Sequence, residues 1–396
     1  MPIGTAFHPR TSVLCESLSF RDWAGFFAVS SYEVHHEHEY NAIRNAAALI
    51  DISPLFKYRL SGPDAGRLVD RVVTRDMGKV AVGQVVYTHW CDAEGKVIDD
   101  GTVARLGESL YRWTAAEPNL RWITLNAHGL DVRLEDVSDR LAALALQGPT
   151  SRDILRACVE GLDPGALRYF RVAPARLAGV PVEISRTGYT GDLGYEVWVE
   201  SDRALEVWDA LMQAGRAYDV RPAGMLALDV ARIEAGLILL DVDYTSSRKA
   251  LIPSQAYSPY EIGLGRLVHL DKAPFVGQRA LREEARQGPA RRLVGLGIRW
   301  DDVERLFDEA GLPPQVPATA SRVAVPVYQG GRQVGKATST TWSPTLKRLI
   351  ALATVSSSAA SEGGELEMEF TVDHRRGRVA AVVEKLPFFD PPRKRA

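Results

Sequence analysis

Two stretches of the chain carry residue types whose spacing could do chemistry. The first is Gly95–Val103, with Asp99-Asp100 at its centre. Adjacent carboxylates inside a strand-like, apolar run are unusual, because a buried Asp must be paired or hydrogen-bonded. In a strand the two point to opposite faces, so only one can line a given pocket. Such a carboxylate could hold or take a proton, although a turn or bulge with solvated Asp residues would read the same. The second stretch is Arg186–Val197, with Gly188, Gly191 and Gly194 at every third position. That spacing permits a sharp loop that a ligand can approach closely. Glu196 heads the strand that follows. Its carboxylate suits a heterocycle carrying an amino group beside a ring N–H, the edge shared by pterins and guanines. A plain Gly-rich hairpin with a solvated Glu has the same sequence.

Other candidates are weaker. His35-His36-Glu37-His38-Glu39 offers metal-ligand types, and His35 with His38 or Glu39 has helical same-face spacing. Nothing in the sequence nominates further ligands, HExxH is absent, and no metal is expected. Gly263-Leu264-Gly265 and Gly295-Leu296-Gly297 are fragments of a dinucleotide fingerprint without its third glycine. Gly330 to Lys336 imitates a phosphate loop, but Ala337 replaces the required Ser or Thr. There is no GxSxG elbow. Cys15, Cys91 and Cys158 are odd in number and far apart, which argues against a disulfide scaffold or a structural zinc and for reduced thiols in a cytoplasmic protein.

The elements that must position these groups are mixed. Helices are expected at Tyr32–Ala48, Ala65–Val73, Ala204–Ala217 and Arg221–Gly236. Strands are expected at Leu55–Leu60, then in a meander at Gln84–Trp90, Val97–Arg105 and Leu110–Ala115. Further strands fit Leu141–Gln147, Tyr169–Val172, Val180–Ser185 and Gly194–Val199. The absence of regular alternation argues for α+β over a doubly wound sheet. From about Arg291 the pattern changes to six short strand-like runs with Gly-, Ser- and Pro-rich turns, an all-β barrel or jelly roll containing a long loop at Asp308–Ala320. The domain reading is therefore 1–290 and 291–396. Arg393-Lys394-Arg395 reads as a solvated basic tail.

With 396 residues, 46% hydrophobic and 25% charged, the chain is an ordinary globular one and not a disordered one. A net charge of −2 gives no bulk case for nucleic acid or anionic membrane. No apolar run approaches the roughly 20 residues that span a bilayer, and residues 1–12 lack the pattern of a secretory leader.

The two chemistry-bearing stretches, in this order, resemble the aminomethyltransferase family: the T-protein of the glycine cleavage system and its tetrahydrofolate-dependent relatives. Asn41–Arg44 through Ile50–Ser53 resembles the family's helix into a D-x-S turn. Gly95–Val103 resembles its G-x-[IV]-x-D stretch. Arg186–Val197 resembles its GYTGE-x-GYE loop, with Asp192 in place of the first Glu. Ala231–Gly236 resembles LRLEAG, Phe275–Leu281 resembles F-[IV]-G…AL, and Ser343–Leu346 resembles S-P-[TS]-L.

The resemblance implies a ring of three domains, two interleaved α+β units plus a C-terminal β domain, around a central channel for tetrahydrofolate. It implies Asp100 as the carboxylate beside the reactive N5/N10 region and Glu196 as the clamp on the pterin's amino edge. It further implies Tyr189 as a folate contact, with Tyr87 and Trp90 as channel-wall candidates. The departures bear on the donor. Leu228 stands where the family's folate-contacting arginine is expected, and an aliphatic side chain cannot replace a guanidinium. Tyr244 and Arg248 are new polar groups expected at the site entrance, so both are assigned to the substrate. Leu386–Asp390 lacks a tyrosine that some members place there. The resulting expectation is a one-carbon transferase that moves a methyl group from a small methylated donor to N5 of tetrahydrofolate. The alternatives are aminomethyl transfer from a lipoyl-protein, and a non-catalytic folate-binding protein that assists iron–sulfur assembly. Against the last stands Lys272–Arg279, which lacks the cysteine of those proteins.

Overall fold

The computed structural model describes all 396 residues. A hairpin, Ser19–Trp23 with Phe26–Ser31, comes first. A seven-stranded sheet then runs in the order Val159–Glu160, Val172–Leu177, Val180–Ser185, Gly194–Glu200, Leu141–Gln147, Ala47–Asp51, Val220–Pro222. A five-stranded sheet has the order Gln84–Cys91, Val97–Gly107, Leu110–Ala115, Phe56–Ser61, Arg133–Asp136. All of its strands lie in sequence between Ala47–Asp51 and Leu141–Gln147, which pair with each other. The two α+β units are thus interleaved. The third unit is a closed six-stranded barrel, Arg291–Ile298, Arg348–Ser356, Arg332–Ser343, Val325–Gln329, Glu365–Val372 and Arg375–Glu384. No helix is long and apolar enough to cross a membrane.

Side-chain alternation explains the small sheet. Val103, Trp113, Tyr58 and Leu60 are completely buried on one face, under the helix Ala65–Val72. Trp90 and Trp113 meet edge to face at 4.8 Å, a favoured aromatic geometry. Gly101 is required here, because a Cβ would sit 2.0 Å from the carbonyl oxygen of Thr114 on the next strand.

Several expected elements shift for identifiable reasons. The helix at Tyr32–Ala48 is only Glu37–Asn45, because Ala47–Asp51 forms a buried strand between two others. Pairing there outweighs alanine's helix propensity. Arg221–Gly236 splits into a strand ending at Pro222 and the helix Met225–Glu234. Tyr169–Val172 is not a strand, since Phe170 has φ +58°; the strand starts at Val172. The loop expected at Asp308–Ala320 begins only after Glu309, because its first two residues belong to a helix, Trp300–Glu309.

The five-stranded sheet also carries a pH-sensitive group on its strand Gln84–Cys91. His89 is completely buried; its Nε2 lies 3.0 Å from Thr74 Oγ1, and its Nδ1 has no partner. Burial pushes its pKa down to about 3, so it stays neutral in the fold. The unfolded chain binds the proton first, and stability falls as pH drops below 6.5. Between that value and pH 5, His89 alone should remove about 2 kcal/mol. Chemical denaturation of His89→Gln at both pH values should show a loss smaller by about that amount; equal losses would count against it.

Candidate active site

All three units line one cavity of about 1610 Å³. Small-molecule pockets typically occupy roughly 300–1,000 Å³, so this one is larger than most.

Asp99 and Asp100 sit on the strand Val97–Gly107 and diverge as strand geometry requires. Asp100 lines the cavity. Tyr87, on the neighbouring strand, donates to its Oδ2 at 2.7 Å, and Tyr244 donates to its Oδ1. Burial raises the Asp100 pKa, and the two phenols, which favour the anion, pull it back. Asp99 points away and is completely buried. Its Oδ2 accepts from Asn119 Nδ2 at 2.8 Å and from the Glu117 amide at 3.1 Å. Burial and then the Asp100 charge push its pKa well up.

Glu196 lies on the strand Gly194–Glu200 and also lines the cavity. Its Oε2 accepts from Thr187 at 2.6 Å and from Ser185 at 3.4 Å, leaving Oε1 without a protein partner. Burial raises its pKa, opposed by the Thr187 hydroxyl and by Arg112. Gln147 braces the glycine loop from behind. Its Nε2 donates to the carbonyls of Thr187 (3.2 Å) and Tyr195 (3.3 Å), and its Oε1 accepts from Thr190 at 2.9 Å. A Cβ at Gly188 or Gly194 would lie 2.0 or 2.2 Å from that Oε1, which explains both glycines. Tyr189 lines the cavity and donates to the Ile238 carbonyl.

Asp100, Tyr87, Tyr189 and Glu196 therefore share one cavity, while Trp90, Tyr244 and Arg248 do not line it. Trp90 is core: its Nε1 donates to Asn119 Oδ1 at 3.1 Å. Arg248 donates to that same oxygen at 3.2 Å and lies over the Trp122 ring. Both support the Asn119–Asp99 contact behind the cavity wall. Tyr244, only 1% exposed, reaches Asp100 from behind rather than standing at an entrance. Leu228 does line the cavity.

The basic tail is a further correction. Arg393 clasps Asp192 with Nε at 2.6 Å and Nη2 at 2.8 Å, and Arg186 and Arg152 hold the Ala396 carbonyl. Lys394 and Arg395 reach the cavity. The segment is thus docked on the glycine loop, because Asp192 is a buried carboxylate that needs cations. Asn119, Gln147 and Arg393 were not foreseen; their roles depend on contacts across 20 to 201 residues of sequence. The histidine cluster does not converge: His38 bonds Glu33 at 2.7 Å, and no three His, Cys, Asp or Glu side chains are placed to share a metal.

Comparison with known proteins agrees with this architecture. A family model described as the GCVT N-terminal domain matches residues 16–272, and one described as the glycine cleavage T-protein C-terminal barrel domain matches residues 310–390. The chain is 35% identical to trimethylamine-oxide aldolase from Ruegeria pomeroyi over 99% of its own length, but spans only 47% of that protein's length. It is 37% identical to an aminomethyltransferase from Moorella thermoacetica, covering 90% of each chain. It is 33% identical to that of Bacillus subtilis, covering 94% and 95%. The fold matches the crystal structure of glycine cleavage system aminomethyltransferase T from Bartonella henselae with a TM-score of 0.83, at 23% identity and covering 98% of this chain and 99% of the other. With both family domains present in order, and with relatives of this similarity along nearly its whole length, the chain belongs to the glycine cleavage T-protein (aminomethyltransferase) family.

Proposed function

We propose that this protein is a tetrahydrofolate-dependent one-carbon transferase of the demethylase type, moving a methyl group from a small methylated donor to N5 of the folate. The observation that carries the reading is Asp100, held at both oxygens by phenols and sharing a cavity with a half-engaged Glu196. The donor set fits a reduced folate. Glu196 Oε1 has accepting capacity free for the amino edge of a pterin. Ala145, Trp198 and Tyr189 supply apolar and aromatic wall for its rings. Residues 1–290 hold the folate in this reading, and 291–396 close the cavity.

When bound, the folate supplies a ring nitrogen as the atom that takes up the carbon. Glu196 would orient it, and Asp100 would stabilise positive charge beside that nitrogen and take the proton it loses, while the donor's heteroatom keeps the electron pair of the broken carbon bond. Each Asp100 oxygen still has a lone pair after accepting one phenol. Alignment of this kind contributes several kcal/mol to lowering a barrier. All three thiols are unpaired, which supports a reducing, cytoplasmic setting.

Glu196→Gln should weaken tetrahydrofolate binding by about 1–3 kcal/mol, the size of a lost charge-assisted pair. Anaerobic calorimetry measures this, and an unchanged affinity would remove the clamp role. The reading as a whole is tested by incubating the enzyme and tetrahydrofolate with methylated donors and identifying the product. 5-Methyltetrahydrofolate supports demethylation. 5,10-Methylenetetrahydrofolate made from an aminomethylated lipoyl-protein would favour the second reading, which the relatives named aminomethyltransferases recommend.

A further inference from the structure

Beyond Tyr189, the cavity wall carries a charge cluster that no sequence motif announces. Arg21 comes from the first hairpin, Asp229 from the helix Met225–Glu234, and Arg322 from the segment leading into the barrel; all three line the cavity. Arg322 donates Nε to Asp229 Oδ2 at 2.9 Å, with Nη2 2.6 Å from the same oxygen. Arg21 Nη1 lies 3.6 Å from that oxygen. Asp229 Oδ1 meets Arg232 Nε at 3.5 Å, but Arg232 is already neutralised by Asp243 at 2.6 Å. Asp22, next on the strand, also lines the cavity; its Oδ1 accepts from the Gly25 amide at 2.8 Å. Two guanidiniums thus share one carboxylate oxygen.

The surroundings are those of a ligand site. Both side chains keep access to the cavity, with 25% and 37% of their surface exposed. Their remaining N–H groups form two forks of the geometry that carboxylates accept. Trp23, Leu55, Met225 and Leu228 pack into one apolar cluster and line the same cavity. The cluster is within electrostatic reach of the chemistry: burial raises the Tyr189 pKa, and Arg232, Asp100 and Asp229 all act on its hydroxyl.

We propose that Arg21 and Arg322 form a carboxylate subsite opening off the main cavity at Leu228, and that it takes the acid end of the methylated donor while the apolar cluster holds the donor's body. The proposal rests on the demethylase reading and names its substrate class: a small methylated carboxylic acid.

Benzoate and benzamide are matched probes, alike in shape and different in charge. Calorimetric titration of the full chain should show benzoate binding at least tenfold more tightly than benzamide. Arg21→Gln and Arg322→Gln should each reduce that preference to about threefold or less, while Arg75→Gln, a cavity-lining cation elsewhere, should leave it intact. Arg21 lies on a surface hairpin, so its variant decides the matter if the Arg322 variant fails to fold. Equal affinities, no binding of either probe, or a preference that survives both substitutions would overturn the subsite. Titration with tetrahydrofolate present separates the sources of the carboxylate. Simultaneous binding supports the donor, whereas displacement of benzoate means that the folate's own glutamate occupies the site and overturns the donor assignment. If benzoate preference is intact but tetrahydrofolate itself fails to bind, the folate reading falls and the arginine subsite stands.

Discussion

Asp100→Asn should lower kcat by about 10²–10⁴-fold, the range that a positioned acid–base group contributes, while tetrahydrofolate still binds. The substitution preserves shape but removes the negative charge that both phenols are arranged to hold. One of the two hydroxyls also loses its acceptor, because an amide nitrogen accepts nothing. Binding should survive because the pterin edge is assigned to Glu196, on another sheet. Rapid-quench turnover alongside calorimetry measures both quantities, and retained turnover would refute the role of Asp100. The pH profile adds a sign. Burial raises the Asp100 pKa, and the Tyr244 and Tyr87 hydroxyls lower it. A base must be ionised to act, so the acid limb of kcat should lie above that of an exposed aspartate. Tyr244→Phe removes a donor from the anion, which should push the limb further up. An unmoved limb would mean that Tyr244 does not stabilise the charged form.

Glu234→Ala should destabilise the protein by about 3–5 kcal/mol, the cost of removing one member of a buried ion pair, since Arg44 keeps only its longer contact with Asp192 at 3.4 Å. Glu234 is completely buried at the end of the helix Met225–Glu234. Arg44 holds its Oε2 with Nε at 2.9 Å and Nη2 at 2.6 Å. Tyr40 donates to its Oε1 at 2.6 Å, and Ser343 does so at 2.5 Å. Ser343 ends a barrel strand, and Tyr40 also meets Thr345 of the barrel at 2.5 Å. One carboxylate therefore ties the helix Glu37–Asn45, the cavity-lining helix and the barrel together. Chemical denaturation of the variant measures the loss. A change below about 1 kcal/mol, the value of an exposed pair, would show that the junction relaxes when the carboxylate is gone.

The segments containing Asp100 and Glu196, and the strands carrying them, were legible because local chemistry announces them. A carboxylate pair in an apolar strand and a triplet-spaced glycine loop are unusual arrangements within a dozen residues. The meander Gln84–Ala115 and the six barrel strands were legible for a related reason: alternation and turn residues are short-range signals. The strand Ala47–Asp51 was not, because what makes it a strand is its place between Leu141–Gln147 and Val220–Pro222. The assignments of Trp90, Arg248 and Tyr244 to the substrate illustrate the same boundary. Sequence proximity to the site is real for all three, but direction is not encoded locally. Trp90 and Arg248 turn towards Asn119, and Tyr244 turns back onto Asp100.

By itself, then, the sequence determined the family, the α+β class with a β barrel, and the two carboxylates on which the proposed chemistry turns. These follow from residue types at fixed short spacing, which survive any rearrangement of the rest. Only the tertiary structure decided which oxygens are held, which stay free, and what stands opposite them. Arg393 on Asp192, Tyr244 on Asp100 and Arg322 on Asp229 join residues 201, 144 and 93 positions apart. Such pairings are selected by the burial of unpaired charge when three units close around one cavity, a cost that appears only once the chain has folded.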